Sequence, residues 1–199
     1  MRMVASSGNR SLRELADKML EYQRVEYIHE DRLTIVATPG LTHSKIVTRL
    51  NEAFNDAWYA KEAPVRWELR FGDFQLERVD DPRRFFVPDI AIAYPDMRTN
   101  GEFRENTVMV VEVTSTKTPE TVENDRVVKR KQYAKAGVPF YLLVDQEYGD
   151  WHLYALAGTW PGYQVHSTGA YGDPIKLPNP FGFTLRTDEW PPYRPDEDD

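Results

Sequence analysis

The 199-residue chain contains no cysteine, which excludes disulfides, thiolate zinc sites and a cysteine nucleophile and fits a reducing compartment. It lacks any apolar run near the roughly 18 residues that a membrane span needs. Its N-terminal stretch, MRMVASSGNRSLRELADKML, holds no continuous apolar segment of the secretory kind. The expected location is therefore cytoplasmic, with no membrane partner. A basic surplus is missing as well: 32 Asp and Glu against 25 Lys and Arg give a net charge of −7. That weighs against coating nucleic acid by bulk charge, yet it suits an acidic centre that binds cations first. The four histidines, His29, His43, His152 and His166, show no zinc spacing, and neither an internal repeat nor a long Gly/Ser linker divides the chain. What is present, 41% hydrophobic and 13% aromatic residues, is enough for a real core and excludes a wholly disordered or collagen-like chain. The length suits one domain over residues 1–190, followed by an acidic, Pro-rich tail at 191–199 that has too little apolar surface to order itself.

The chain reads as alternating helices and strands. Leu12, Leu15, Met19 and Leu20 keep helical spacing over 11–22. Val25, Tyr27 and Ile28, then Leu33, Ile35 and Val36, flank a polar segment and predict a hairpin. Residues 42–60 form the clearest amphipathic helix, through Ile46, Leu50, Ala53, Phe54, Ala57 and Trp58, with Thr42 as the expected cap. VRWELRF and FQLERV read as strands, followed by FFVPDIAIAY. TVMVVEVTS is nearly continuously apolar, as a strand covered on both faces should be. A helix is expected over 119–136, with Gly137 marking its end, then a strand in PFYLLVD and an antiparallel pair in DWHLYAL and YQVHS. Two helices linking a strand-rich middle predict an α/β (α+β) mixed sheet with antiparallel hairpins, not a regular doubly wound one.

Two of these strands are interrupted by one carboxylate each: Asp89 in FFVPDIAIAY and Glu112 in TVMVVEVTS. Desolvating an unpaired carboxylate costs several kcal/mol, so both need partners. If the strands are neighbours, the two can converge on a hard divalent cation, which takes oxygen ligands and keeps waters. On a 100° wheel, Val122, Asp125, Arg126, Lys129, Tyr133 and Ala136 share one face, while Arg130, Lys131 and Lys135 point elsewhere. Asp125 and Lys129 stand at ion-pair spacing. If that face packs on the sheet, Lys129 reaches the carboxylates, and the set suits phosphodiester hydrolysis. In that chemistry a metal polarises a phosphoryl oxygen and activates water, and a lysine orients that water or stabilises developing charge.

The blocks EYIHEDRL…H, PDIAIAY, VVEVTST and NDRVVKRKQYAKAGVPFYLLVD, in this order, resemble the Uma-two family of small bacterial proteins described as restriction endonucleases, within the PD-(D/E)xK nuclease superfamily. The resemblance runs from about Glu26 to Tyr163. It implies a restriction-endonuclease-like central mixed sheet flanked by helices, and Mg²⁺ or Mn²⁺ as cofactor. It also implies nucleic acid as substrate, DNA before RNA. The family's proline–aspartate pair matches Pro88 and Asp89, its strand glutamate Glu112 with Val113 and Ser115, its helical residues Asp125, Lys129 and Tyr133, and its early glutamate and histidine Glu26 and His43. The catalytic set it implies is Asp89, Glu112 and Lys129, with Asp89, Glu112 and the Val113 carbonyl on the metal and Glu26, His43, Asp125 and Tyr133 in support. Where the superfamily's acid-x-lysine would place a lysine, this chain has Thr114; the lysine is then supplied by the next helix.

Plainer roles stand beside these. Asp125 can position Lys129 in place of ligating, Tyr133 can be core packing with a satisfied hydroxyl, and His43 can be a helix cap, a surface histidine or a phosphate contact. Glu26 can add a third acid or pair across the hairpin. The basic run Arg126–Lys135 can be a solvated face or a phosphate-tracking edge. A homodimer would let two sites address two strands. The alternative to a nuclease is an inactive module on the same fold, binding nucleic acid or a protein partner.

Overall fold

The computed structural model describes residues 25–29, 32–35, 40–72, 74–77, 85–96, 98–99, 104–114, 124–158, 162–192 and 194. The helix expected over 11–22, the start of the one expected over 119–136 and most of the acidic tail lie outside these residues. The strands are β1 (Val25–His29), β2 (Arg32–Ile35), β3 (Glu68–Phe71), β4 (Leu76–Glu77), β5 (Phe85–Phe86), β6 (Ile90–Ala93) and β7 (Thr107–Val113), then β8 (Phe140–Asp145), β9 (Asp150–Leu156), β10 (Tyr163–Ala170), β11 (Ile175–Lys176) and β12 (Thr184–Leu185). Helix α1 spans Leu41–Tyr59; a π-helical turn, Asn124–Lys129, runs directly into α2, Arg130–Lys135.

The main sheet has the order β10-β9-β8-β7-β6-β3. Strands β7 and β8 are parallel, in the register Met109↔Phe140 to Val113↔Val144, and the other pairs are antiparallel. Strands β1 and β2 form the expected hairpin, within a four-stranded sheet ordered β2-β1-β5-β4.

Both faces of the main sheet are covered. One packs Ile90, Ile92, Met109, Val111, Val113, Leu142 and Val144 against Ile46, Leu50, Phe54 and Ala57 of α1 and against Phe181, Phe183 and Leu185. The other packs Ala91, Ala93, Val110, Tyr141, Leu143 and Tyr154 against Tyr133 of α2, with Leu76 and Phe86 from the smaller sheet. All seven residues of β7 are accordingly buried, which is why its sequence runs apolar without alternation. Each fully buried large aliphatic or aromatic side chain here contributes about 1.5–3 kcal/mol.

Two sequence expectations shift. The cap of α1 is Gly40 and not Thr42, which is buried inside the first turn. The Ser44 amide and hydroxyl both bond back to the Gly40 carbonyl, at 3.1 and 3.0 Å, so the helix opens one residue earlier. The run FFVPDIAIAY is two strands in two sheets, β5 and β6, joined through Val87, Pro88 and Asp89. Pro88 offers no N–H to a ladder, so the chain changes sheets there.

Candidate active site

The register Ile90↔Val111 between β6 and β7, continued by one residue, sets Asp89 opposite Glu112. Both are buried, at 5% and 1% exposure. Asp89 lies just past the end of the β6 ladder, and its carboxylate takes over the ladder's role: Oδ2 accepts the Val113 amide at 2.7 Å. The same oxygen lies 3.0 Å from Nε2 of His43 in the first turn of α1. His43 belongs to the buried stripe of that helix, three residues before Ile46, followed by Leu50, Phe54 and Ala57. Its other ring nitrogen, Nδ1, is buried without a hydrogen-bond partner among the described residues.

Glu112 is held from the opposite side. Its neighbours Val111 and Val113 face α1, so strand alternation turns Glu112 toward α2. There Lys129 Nζ donates to Oε2 at 3.1 Å and the Tyr133 hydroxyl to Oε1 at 2.6 Å. Lys129 is 4% and Tyr133 1% exposed. Four residues apart on one helical face, they meet the same carboxylate. Hydrogen bonds to a charged group of this kind contribute about 1.5–3 kcal/mol each.

A second polar network fastens this arrangement. Asp145, buried at the end of β8, accepts Arg126 Nε at 2.6 Å and Thr114 Oγ1 at 3.4 Å. Arg126 also reaches Glu147 at 3.0 Å and lies 4.7 Å from the Tyr148 ring centroid. The hydrogen bond to Asp145 raises the guanidinium pKa above its already high value. Gln146 donates its backbone amide to Thr114 Oγ1 and its side-chain amide to the Thr114 carbonyl. Arg130 donates to the Tyr154 hydroxyl at 3.1 Å. The basic run therefore divides: Arg126, Lys129 and Arg130 engage groups on the sheet or at its edge, while Lys131 and Lys135 are exposed.

The structure thus joins Asp89 with His43 and the Val113 amide, and Glu112 with Lys129 and Tyr133. Glu26 lies on β1 and Asp125 in the π-helical turn, but their side chains are outside the described residues. Asp145 and Gln146 were not singled out by sequence, and Thr114 only as the position where a lysine is missing. The available signal was Asp145 closing the apolar run PFYLLVD, the kind of interruption that marks Asp89 and Glu112. Among the described residues, no three His, Cys, Asp or Glu side chains gather as a cation cage. Asp89 and Glu112 could offer oxygen donors to a hard cation, and two such donors with retained waters are what magnesium uses.

The family model for Uma2, described as "Putative restriction endonuclease", matches residues 7–188. No curated protein matches the chain. Among solved structures, a "putative nuclease belonging to DUF820" from Anabaena variabilis matches with a TM-score of 0.52 at 14% identity, over 81% of this chain and 88% of that one. That likeness is one of fold: the restriction-endonuclease-like mixed sheet flanked by helices. No helix among the described residues is long and apolar enough to cross a membrane.

Proposed function

Because the chain belongs to the Uma2 family, we propose that it is a metal-dependent endonuclease hydrolysing nucleic-acid phosphodiester bonds, with Asp89, Glu112 and the Val113 carbonyl holding Mg²⁺ or Mn²⁺ and Lys129 serving the phosphoryl centre. The observation that carries this reading is the two buried carboxylates at the end of the β6–β7 ladder, each fixed by a different flanking helix. When bound, the ion supplies polarisation of a phosphoryl oxygen and a water of lowered pKa.

The protein's own groups do the rest. His43 and the Val113 amide hold Asp89 in one orientation. Tyr133 and Lys129 do the same for Glu112. The Thr114 amide bonds the Val144 carbonyl of β8, so by ladder alternation the amide and carbonyl of Val113 face the other way, toward β6. The amide meets Asp89 there, which supports the carbonyl beside it as a third oxygen donor. Lys129 brings a positive charge to Glu112, where it would stabilise negative charge developing on phosphate oxygens. DNA is the preferred substrate class over RNA, and a homodimer would present two such sites to a duplex.

The test joins binding to cleavage. Calorimetric titration of manganese should show binding to the wild type and none to D89N/E112Q. Against a panel of DNA and RNA substrates, Glu112→Gln should lower metal-dependent cleavage by about 10²–10³-fold, the scale lost when one electrostatic stabiliser is removed. Equal cleavage by variant and wild type overturns the assignment. Absence of both manganese binding and cleavage, even with an oligonucleotide present, favours a non-catalytic module on the same fold, a reading to which the net charge of −7 already lends weight.

A further inference from the structure

Between α1 and the edge strand β3 lies a cavity of about 340 Å³, lined by Asn51, Asn55, Arg66, Trp67, Phe71 and Asp96 among others. Its volume falls in the range of small-molecule sites. Its lining joins flat aromatic surface to unsatisfied polar atoms. Trp67 is 6% exposed, and its indole N–H has no hydrogen-bond partner among the described residues. A buried donor left unpaired costs about 1–3 kcal/mol, and this one belongs to a residue that lines the cavity, so an acceptor bound there would relieve it. Asn55 donates its amide nitrogen to the Asn51 backbone and side-chain oxygens. That leaves the Asn55 carbonyl oxygen and the Asn51 amide nitrogen available as an acceptor–donor pair. Phe71 and Tyr94 are each 40% exposed, and Tyr94 lies 5.1 Å from the Trp67 ring.

The position of this cavity matters. Phe71 pairs with Ile90, the residue after Asp89, so one end of the lining adjoins the carboxylate site. Helix α1 links the two places: His43 touches Asp89 and Asn51 lines the cavity. Eight residues at 1.5 Å each separate them, about 12 Å, or roughly three stacked nucleotides.

We propose that this cavity is a nucleobase pocket, taking one unstacked base of the substrate strand a few nucleotides from the bond under attack. Amide side chains pair with base edges, and aromatic rings stack on the faces of splayed-out bases. The proposal deepens the nuclease reading and rests on it, and it makes the Asn51–Asn55–Trp67 set the determinant of base preference.

The test needs neither metal nor cleavage. The indole N–H resonance of Trp67, assigned with Trp67→Phe, is followed in proton–nitrogen correlation spectra of the full chain while each of the four deoxynucleosides is added. At least one nucleoside should shift that resonance saturably, and Asn51→Ala and Asn55→Ala should each weaken the binding about tenfold while leaving the rest of the spectrum native. No shift with any of the four, or an unchanged titration in both variants, overturns the proposal. Free nucleosides carry no phosphate and the sample holds no manganese. A failure here is therefore separate from a failure of the metal site, and a protein that binds nucleosides but neither binds manganese nor cleaves, even with an oligonucleotide present, keeps the pocket and loses the nuclease assignment.

Discussion

Lys129 and Glu112 are almost wholly removed from water, and each supplies the opposite charge at 3.1 Å that the other loses if it is replaced. Breaking such a pair from one side typically costs about 3–5 kcal/mol, whereas replacing both partners by neutral groups is far milder. Lys129→Met should therefore lower unfolding free energy by about that amount in urea titrations, and adding Glu112→Gln should recover most of it. A single substitution that costs under 1 kcal/mol would mean that Glu112 is not relying on the ammonium at 3.1 Å. The same reasoning explains why a lysine this close to the chemistry has to be tested by activity and stability together.

At the scale of elements, the approach of the lysine-bearing helix is set by Arg126, one turn before Lys129, and its 2.6 Å pair with Asp145. Arg126→Ala leaves Asp145 buried without its cation, with the long Thr114 hydroxyl contact remaining. Because the arginine side chain is itself about a quarter exposed, the cost should be about 2–3 kcal/mol, below the fully buried case. Amide hydrogen exchange should speed up selectively over residues 126–135; uniform exchange along the chain would place the effect elsewhere. Much of this helix was legible in the sequence, since the wheel set Lys129 and Tyr133 on one face and Lys131 and Lys135 off it, as found; it also set Arg130 off that face, whereas Arg130 reaches the Tyr154 hydroxyl on β9. The carboxylates Asp89 and Glu112 were legible because a lone acid in an apolar strand is costly. The Asp145–Thr114–Gln146 network was not, because its parts lie some thirty residues apart and only strand pairing joins them. Nor was the partition of FFVPDIAIAY between two sheets, since a periodicity of two is the same in both. His43 is neither cap nor surface residue but buried against Asp89; the 3.6-residue stripe of α1, extended back three residues from Ile46, is the signal that the reading of it as a cap passed over.

For the molecule as a whole, stability should decline in alkali. Burial, with Asp145 and Asp150 adding negative potential, pushes the Tyr171 phenol above its ordinary value of 10. Burial alone does the same to Tyr163. A phenol that holds its proton more tightly folded than unfolded makes the folded state the greater proton binder from about pH 10 upward, so unfolding free energy falls as pH rises through that window. The Tyr171 hydroxyl has no hydrogen-bond partner among the described residues, while its ring packs edge-on against Trp190 at 5.2 Å. Tyr171→Phe should thus be near neutral at pH 7 and should lessen the alkaline decline in thermal melts. A variant with an unchanged slope would shift responsibility to other groups. Among the described strands, only β7 and β8 in the main sheet run parallel, and a chain can join parallel neighbours only by crossing over one face. For L-amino acids that crossover is right-handed in about 98% of cases. The side of the sheet on which a lysine between β7 and β8 can land is therefore settled by chirality before any side chain is chosen, and α1 with its histidine is left the other side.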